Sequence, residues 1–280
     1  MNARKGFTLA GVMGWPVSHS RSPRLHGHWI AELGLQGTYV PLPVPPGRVG
    51  EAVRGLRALG FAGCNVTIPH KVAVMEHLDE IDPMARQIGA VNTIVVTEDG
   101  RLVGRNTDGE GWLRGLRDAQ PGWRAEAGPA VVLGAGGAAR AVTAALAAAG
   151  APAIRIVNRT REKADALAAS LGGVATGHGW AEREALLDGA ALLVNTTSQG
   201  MKGQPPLDIA LERLPRAAVV SDVVYTPLET PLLAAARARG NPTSDGLGML
   251  LNQARPAFAA WFGVEPEVTA ELRALMAEGL

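Results

Sequence analysis

Cysteine is almost absent from this 280-residue chain, and its charges nearly cancel. Cys64 is the only cysteine, which excludes disulfides within the chain and is typical of a reducing compartment. We therefore expect a cytoplasmic location. Lysine and arginine together number 27 against 26 aspartates and glutamates, which leaves a net charge of +1. A nucleic-acid-binding face needs a clear excess of basic side chains, so we expect no nucleic-acid partner.

Long hydrophobic runs are missing as well. The alanine-rich stretch after Gly137 comes closest to a membrane span, but it is too short and ends in Gly-Ala-Pro. The first residues hold two basic side chains and a short apolar run, so we expect neither a signal peptide nor a membrane partner. Hydrophobic residues still make up 47% of the chain and charged residues 19%, which is enough for a folded core.

A glycine-rich turn lies near the middle of the chain. Residues 131–133 have the apolar character of a buried strand, and Gly134, Gly136 and Ala139 follow in the spacing G-x-G-x-x-G/A. Such a turn lets the backbone approach a pyrophosphate, which the N-terminus of the next helix attracts. The predicted cofactor contacts in this turn are Gly134, Ala135, Gly136, Gly137 and Ala138.

The end of the next strand indicates which dinucleotide binds. An NAD-binding unit places a carboxylate there, whereas this chain has Asn158, Arg159, Thr160 and Arg161. Guanidinium groups attract a 2′-phosphate and can bind it bidentately, so we predict NADP(H) rather than NAD. The alternative is that the glycines are ordinary turn residues and the arginines begin a solvated helix.

Strand and helix patterns alternate through the rest of the chain, which predicts an α/β fold with two α/β domains. We expect residues 1–107 and 246–280 to form an N-terminal substrate-binding domain, to which the C-terminal helices return. Residues 108–245 would form a Rossmann-like NADP-binding domain.

Three local patterns give specific expectations. Ser22 would be the N-cap of a helix with Pro23 at its first position. The Asp99-Gly100 pair between two β-rich runs predicts a hairpin. A later amphipathic helix would have an apolar stripe made of Val49, Val53, Leu56 and Leu59.

Polar clusters at strand ends and helix starts are the candidate site. The hydroxyls of Ser20 and Ser22 could bind a carboxylate at a helix N-terminus, although Ser22 could also be only a cap. Lys71 follows a strand that presents Asn65 and Thr67 on one face, although most lysines at such places are surface residues. The remaining clusters contain Asn92, Asp108, and a segment from Asp245 to Gln253.

The chemistry of these clusters points to hydride transfer. A buried Asp108 beside Lys71 would hold the ammonium in place, although Asp108 could equally be a helix N-cap. The histidines and Cys64 have no zinc-ligand spacing, so no metal is expected, and neither a G-x-S-x-G elbow nor a Walker lysine motif is present. An NADP site beside a polar cleft with one lysine fits reduction of a polyhydroxylated ketone.

The chain resembles the shikimate dehydrogenase family over essentially its full length. The matching segments, in the order of the family, are HSRSP, NVTIPHK, GAVNTI, RNTDGEG, GAGGAARA, NRT, NTTSQGM, DVVYTP and DGLGMLLNQ. The resemblance implies reversible NADPH-dependent reduction of 3-dehydroshikimate to shikimate, in the pathway of aromatic amino-acid biosynthesis.

The resemblance also implies residue roles. Lys71 would be the acid/base residue beside Asp108, and Ser20 and Ser22 would hold the substrate carboxylate. The other implied substrate contacts are Asn65, Thr67, Asn92, Asp108, Tyr225 and Gln253. The implied cofactor contacts beyond the glycine turn are Asn158, Arg159, Thr160, Arg161, Thr196, Ser198, Val223, Gly246 and Met249.

One departure from the family pattern is Gly27, where Asn often follows the histidine. Two alternatives remain open at this point. One is a quinate- or aminoshikimate-type dehydrogenase on the same scaffold. The other is a protein that binds NADP or shikimate without turnover. We expect a monomer or a homodimer that binds a small-molecule substrate.

Overall fold

Alternating strands and helices build two six-stranded sheets in the computed structural model, which describes residues 6–280. The described residues divide into two units. The first contains the residues up to Thr107 together with Gln253–Met276, and the second contains Asp108–Asn252 and Ala277–Leu280. The predicted α/β class is confirmed.

The first unit is built on a mixed sheet. Its strands are β1 (Thr8–Gly14), β2 (Gly37–Pro43), β3 (Phe61–Val66), β4 (Glu80–Ile81), β5 (Thr93–Val96) and β6 (Leu102–Arg105), in the spatial order β2-β1-β3-β5-β6-β4. Its helices are α1 (Ser22–Glu32), α2 (Val49–Ala58) and α3 (Pro83–Ile88). Strands β1, β2 and β3 are parallel, whereas β5 and β6 form the predicted hairpin.

The second unit is built on a parallel sheet. Its strands are β7 (Ala130–Leu133), β8 (Ile154–Asn158), β9 (Ala175–Gly179), β10 (Leu192–Asn195), β11 (Val219–Asp222) and β12 (Thr243–Ser244). Its helices are α4 (Asp108–Ala119), α5 (Gly137–Ala148), α6 (Arg161–Ser170) and α7 (Pro231–Ala238). Two further helices, α8 (Gly246–Phe262) and α9 (Ala270–Ala277), have residues in both units.

The strand order of the second sheet is β12-β11-β10-β7-β8-β9. Counted from β7, this is the 3-2-1-4-5-6 order of a dinucleotide-binding Rossmann sheet, in which ligands bind where the order reverses. Alternate residues of β7 pack into different cores: Val132 contacts the cluster around Leu146, and Val131 the cluster around Leu232. Burial on both faces explains why these strands are almost wholly apolar.

Two local expectations are wrong. Arg21, not Ser22, is the N-cap of α1, and it makes no side-chain capping bond. Leu59 is 69% exposed because α2 ends at Ala58 and the following residue leaves the apolar stripe.

The chain was expected to re-enter the first unit at residue 246. In the structure it does so at Gln253, and residues 246–252 pack in the second unit. The backbones are in close contact there: a Cβ on Gly246 would overlap the carbonyl oxygen of Val223. A Cβ on Gly115 of α4 would lie 2.6 Å from the carbonyl carbon of Gly248. Among residues 6–280, no helix has both the length and the apolar character that crossing a bilayer requires.

Candidate functional site

Asn65 is the centre of a buried polar network in the first unit. Its Oδ1 accepts a 2.7 Å hydrogen bond from the Tyr39 hydroxyl. Its Nδ2 donates to the carbonyl oxygen of Asn92 and to Thr93 Oγ1, both at 3.2 Å. Because both amide hydrogens are engaged, Oδ1 is the atom of Asn65 that can take a further bond, as the acceptor of a ligand hydroxyl.

Tyr39 connects this network to the serines at the start of α1. The Ser22 hydroxyl hydrogen-bonds Tyr39, and burial raises the pKa of Tyr39 well above its ordinary value. The ring of Tyr39 stacks on His26 with 4.0 Å between the ring centroids. The backbone N–H of Ser22, the first residue of α1, donates to Ser20 Oγ at 3.3 Å. Sequence reasoning missed Tyr39, because nothing in its neighbourhood along the chain marks it.

Asn92 and Gln253 are joined through Thr107. Asn92 Nδ2 donates to Thr107 Oγ1 at 3.0 Å and lies 3.5 Å from Gln253 Oε1. The backbone N–H of Thr107 donates to Asn92 Oδ1 at 2.9 Å, and the Thr107 hydroxyl donates to the Gln253 carbonyl at 2.8 Å. Four of the predicted substrate residues, Ser22, Asn65, Asn92 and Gln253, thus belong to one connected network, which also includes Tyr39 and Thr107.

Lys71 and Thr67 follow β3 and are both half-buried. The Lys71 carbonyl accepts a 2.8 Å hydrogen bond from the Val91 N–H, which fixes its backbone beside the approach to β5. His70 is buried, with its Nε2 2.7 Å from the Val44 carbonyl oxygen. The segment after β3 is therefore anchored on both sides of Lys71.

The glycine turn of the second unit has the predicted shape. Gly134 has a φ of +112°, and a Cβ there would lie 2.6 Å from Thr196 Oγ1. Gly136 is exposed, with no atom within 4 Å of the position a Cβ would take. It is the N-cap of α5 and, as a glycine, has no side chain to cap the N–H groups of the first turn.

The basic turn lies at the end of β8, beside the glycine turn, because β7 and β8 are adjacent. Asn158 Nδ2 donates to the Thr160 carbonyl at 2.8 Å, which closes the turn, and Arg159 is exposed. Arg161 lies 3.3 Å from Glu182 and 3.6 Å from Asp165. These carboxylates favour Arg159 over Arg161 as the anion-binding side chain.

Two loops complete this edge of the second sheet. Thr196, directly after β10, donates to the Leu133 carbonyl at 2.5 Å, at the end of β7. Ser198 is exposed further along the same loop. Val223 and Tyr225 follow β11 and are half-buried, and Val223 contacts Gly246 at the start of α8.

The other predicted residues of the second unit are Asp108 and Met249. Asp108 begins α4 and is 4% exposed, in the first turn where the helix dipole favours a carboxylate. Met249 is half-buried in α8 and packs against the core around Trp112.

The chain matches two family models. Residues 12–94 match the shikimate dehydrogenase substrate binding domain, and residues 122–201 match shikimate / quinate 5-dehydrogenase. A shikimate dehydrogenase (NADP(+)) of Paramagnetospirillum magneticum is 60% identical over 268 residues, which cover 96% of this chain and 97% of that protein. The chain belongs to the shikimate dehydrogenase family.

Other members agree with this placement. A shikimate dehydrogenase (NADP(+)) of Rhodospirillum rubrum is 59% identical, with 95% of each chain covered. The structure of shikimate 5-dehydrogenase from Thermus thermophilus with NADP(H) and shikimate superimposes with a TM-score of 0.85 and 38% identity, over 96% of this chain and 98% of that one. The structure of a quinate dehydrogenase from Corynebacterium glutamicum with NAD superimposes with a TM-score of 0.89 and 32% identity, over 96% of this chain and 98% of that one.

The family and the oxidoreductase class predicted from the sequence are therefore confirmed. The predicted NADP dependence agrees with the curated relatives, which are named for NADP(+).

Proposed function

We propose that this chain catalyses the reversible NADPH-dependent reduction of 3-dehydroshikimate to shikimate, in the pathway of aromatic amino-acid biosynthesis. The first unit binds the substrate and the second binds NADP(H). The observation that carries the proposal is the open glycine turn beside an exposed arginine, at the reversal point of a Rossmann sheet.

The residues of the second unit fit NADP. The space at Gly136, which a Cβ would fill, and its place as the N-cap of α5 suit a pyrophosphate. Asn158, Arg159 and Thr160 would hold the 2′-phosphate, with no acidic residue among them to repel it. Thr196, Ser198, Val223, Gly246 and Met249 would bind the other half of the cofactor.

The first unit fits a small polyhydroxylated acid. Ser20 and Ser22 would bind its carboxylate, and the Oδ1 atom of Asn65 would accept a hydrogen bond from a ring hydroxyl. Thr67, Asn92 and Gln253 would bind the remaining hydroxyls, and Asp108 and Tyr225 would also contact the substrate. The connected network fixes Ser22, Asn65, Asn92 and Gln253 before the substrate arrives, which lowers the entropic cost of binding.

Lys71 is the proposed acid/base residue. The chemistry that NADPH would supply when bound is a hydride for the carbonyl carbon of the ring. In reduction, the Lys71 ammonium would donate a proton to the carbonyl oxygen as negative charge develops on it. In oxidation, the neutral Lys71 amine would take the proton of the ring hydroxyl. Asp108 would orient the ammonium.

Reduction of NADP⁺ by shikimate, followed at 340 nm, tests the proposed function. We expect saturable turnover, and a kcat/KM higher for shikimate with NADP⁺ than for quinate or for NAD⁺. The absence of turnover would refute the proposal and favour a binding protein. Preference for quinate with NAD⁺ would instead favour the type of the Corynebacterium structure.

A further inference from the structure

Asp222 is a buried carboxylate that the proposed mechanism does not use. It is the last residue of β11, 1% exposed, directly opposite Asn195 at the end of β10. Both residues lie at the carboxyl ends of central strands, where ligands of such sheets bind. A buried charge is costly unless it is hydrogen-bonded, so its partners are informative.

Three neutral donors surround this carboxylate. Oδ1 accepts from Asn195 Nδ2 and from the Val224 N–H, both at 3.0 Å. Oδ2 accepts from the Thr230 hydroxyl at 2.7 Å, and Thr230 is the N-cap of α7. Asp222 therefore ties the two ends of the loop between β11 and α7 together.

Asn195 extends the same network into the neighbouring loop. Its Oδ1 accepts from the backbone N–H of Thr197 at 3.0 Å and from the Thr197 hydroxyl at 2.7 Å. Its Nδ2 also donates to the Gln199 carbonyl at 3.1 Å. One buried pair, Asn195 and Asp222, thus fixes the loops 196–199 and 223–230.

We infer that Asp222 is a positioning residue, which acts through Asn195 and Thr230 to hold both loops in the shape that binds the half of NADP(H) beyond the pyrophosphate. This inference rests on the proposed function, which assigns Thr196, Ser198 and Val223 to that half. The basic turn that would hold the 2′-phosphate follows β8 and takes no part in the network.

Calorimetric titration with two ligands tests the inference. NADP⁺ contains both halves, whereas adenosine 2′,5′-bisphosphate contains only the half with the 2′-phosphate. In Asp222→Ala, we expect the Kd for NADP⁺ to rise about tenfold, since three donors lose a charged acceptor. The Kd for adenosine 2′,5′-bisphosphate should stay within about twofold of the wild type.

Two further variants keep the test sharp if Asp222→Ala does not fold. Thr230→Val removes one donor at nearly constant shape, and we expect the Kd for NADP⁺ to rise about threefold, again without change for the bisphosphate. Thr143→Val is the matched control, because this buried hydroxyl bonds only within α5, to Ala139 and Arg140. It should bind both ligands as the wild type does.

Equal weakening of both ligands in Asp222→Ala and Thr230→Val would mean that the residues only stabilise the unit, which overturns the inference. Unchanged binding of NADP⁺ overturns it as well, while leaving the proposed function intact. Failure of the wild-type protein to bind NADP⁺ would overturn the proposed function itself.

Discussion

At the scale of single residues, Asp222 makes the stability of the protein depend on pH: its contribution falls as the pH rises. Burial raises its pKa from the ordinary 3.8 to about 6, against the opposing effect of its three hydrogen bonds. A raised carboxyl pKa means that the folded state binds the proton more tightly than the unfolded state does. The stability that this group contributes is therefore fully present below about pH 3.8, and is lost as the pH rises through 6.

The isosteric variant Asp222→Asn cannot titrate at this position and should lack that loss. We expect the difference in unfolding free energy, variant minus wild type, to rise by about 2 kcal/mol between pH 4 and 7, at ~1.4 kcal/mol per pKa unit. Urea denaturation at several pH values measures it. A difference that does not change with pH would contradict the raised pKa.

The sequence predicts the residues of the site better than it predicts their connections. Asn65 and Asn92 stand out because they lie in polar clusters, Asn65 near the end of β3 and Asn92 directly before β5. Tyr39 and Thr107 do not, since their roles depend on partners far along the chain: Tyr39 bonds Asn65, 26 residues away, and Thr107 bonds Gln253, 146 residues away. Such contacts exist only once the sheet and α8 have assembled.

At the scale of elements, the two glycines of the glycine turn have different roles. Gly134 is needed for the backbone conformation, whereas Gly136 leaves space for a ligand. Gly134→Ala should lower the unfolding free energy by about 1–3 kcal/mol, because its φ is positive and its Cβ would meet Thr196. Gly136→Ala should lower the unfolding free energy by less than about 1 kcal/mol, the cost of a poorer N-cap, since its φ of −84° suits alanine and the space is open. It should nevertheless weaken NADP⁺ binding about tenfold, by a methyl group in the pyrophosphate site.

Thermal unfolding and calorimetric titration of both variants measure these effects. Wild-type NADP⁺ affinity in Gly136→Ala would mean that the open face of the turn is not the pyrophosphate site. The turn could be predicted because its conformation is set by residues adjacent in sequence. The end of α2 could not, since Leu59 continues the apolar period and only its exposure shows that the helix has stopped.

At the scale of the whole molecule, the proposed division of labour predicts where each ligand protects the backbone. NADP⁺ at about 100 times its Kd stabilises the state that binds it by about 2.7 kcal/mol. Hydrogen exchange should therefore slow in β7, α5 and β8 when NADP⁺ is added. It should slow in β3 and the segment after it when shikimate is added. Protection in the opposite units would refute the assignment of the two domains.

The division into two α/β units was accessible from the sequence because strand and helix periods alternate throughout. The residue at which the chain re-enters the first unit, Gln253, could not be predicted from the sequence. Nothing local distinguishes residues 246–252 from the rest of α8, and their place in the second unit depends on close backbone contacts with Gly115 and Val223.

The kinetics of Lys71 variants test the central claim most directly. In Lys71→Ala, kcat for shikimate oxidation should fall by ~10²–10⁴-fold, the scale of a lost acid/base group, while the KM for shikimate changes far less. Lys71→Arg keeps the charge but cannot exchange the proton, so it should bind shikimate normally and remain nearly inactive. Loss of shikimate binding with kcat unchanged in Lys71→Ala, or full activity of Lys71→Arg, would contradict the account.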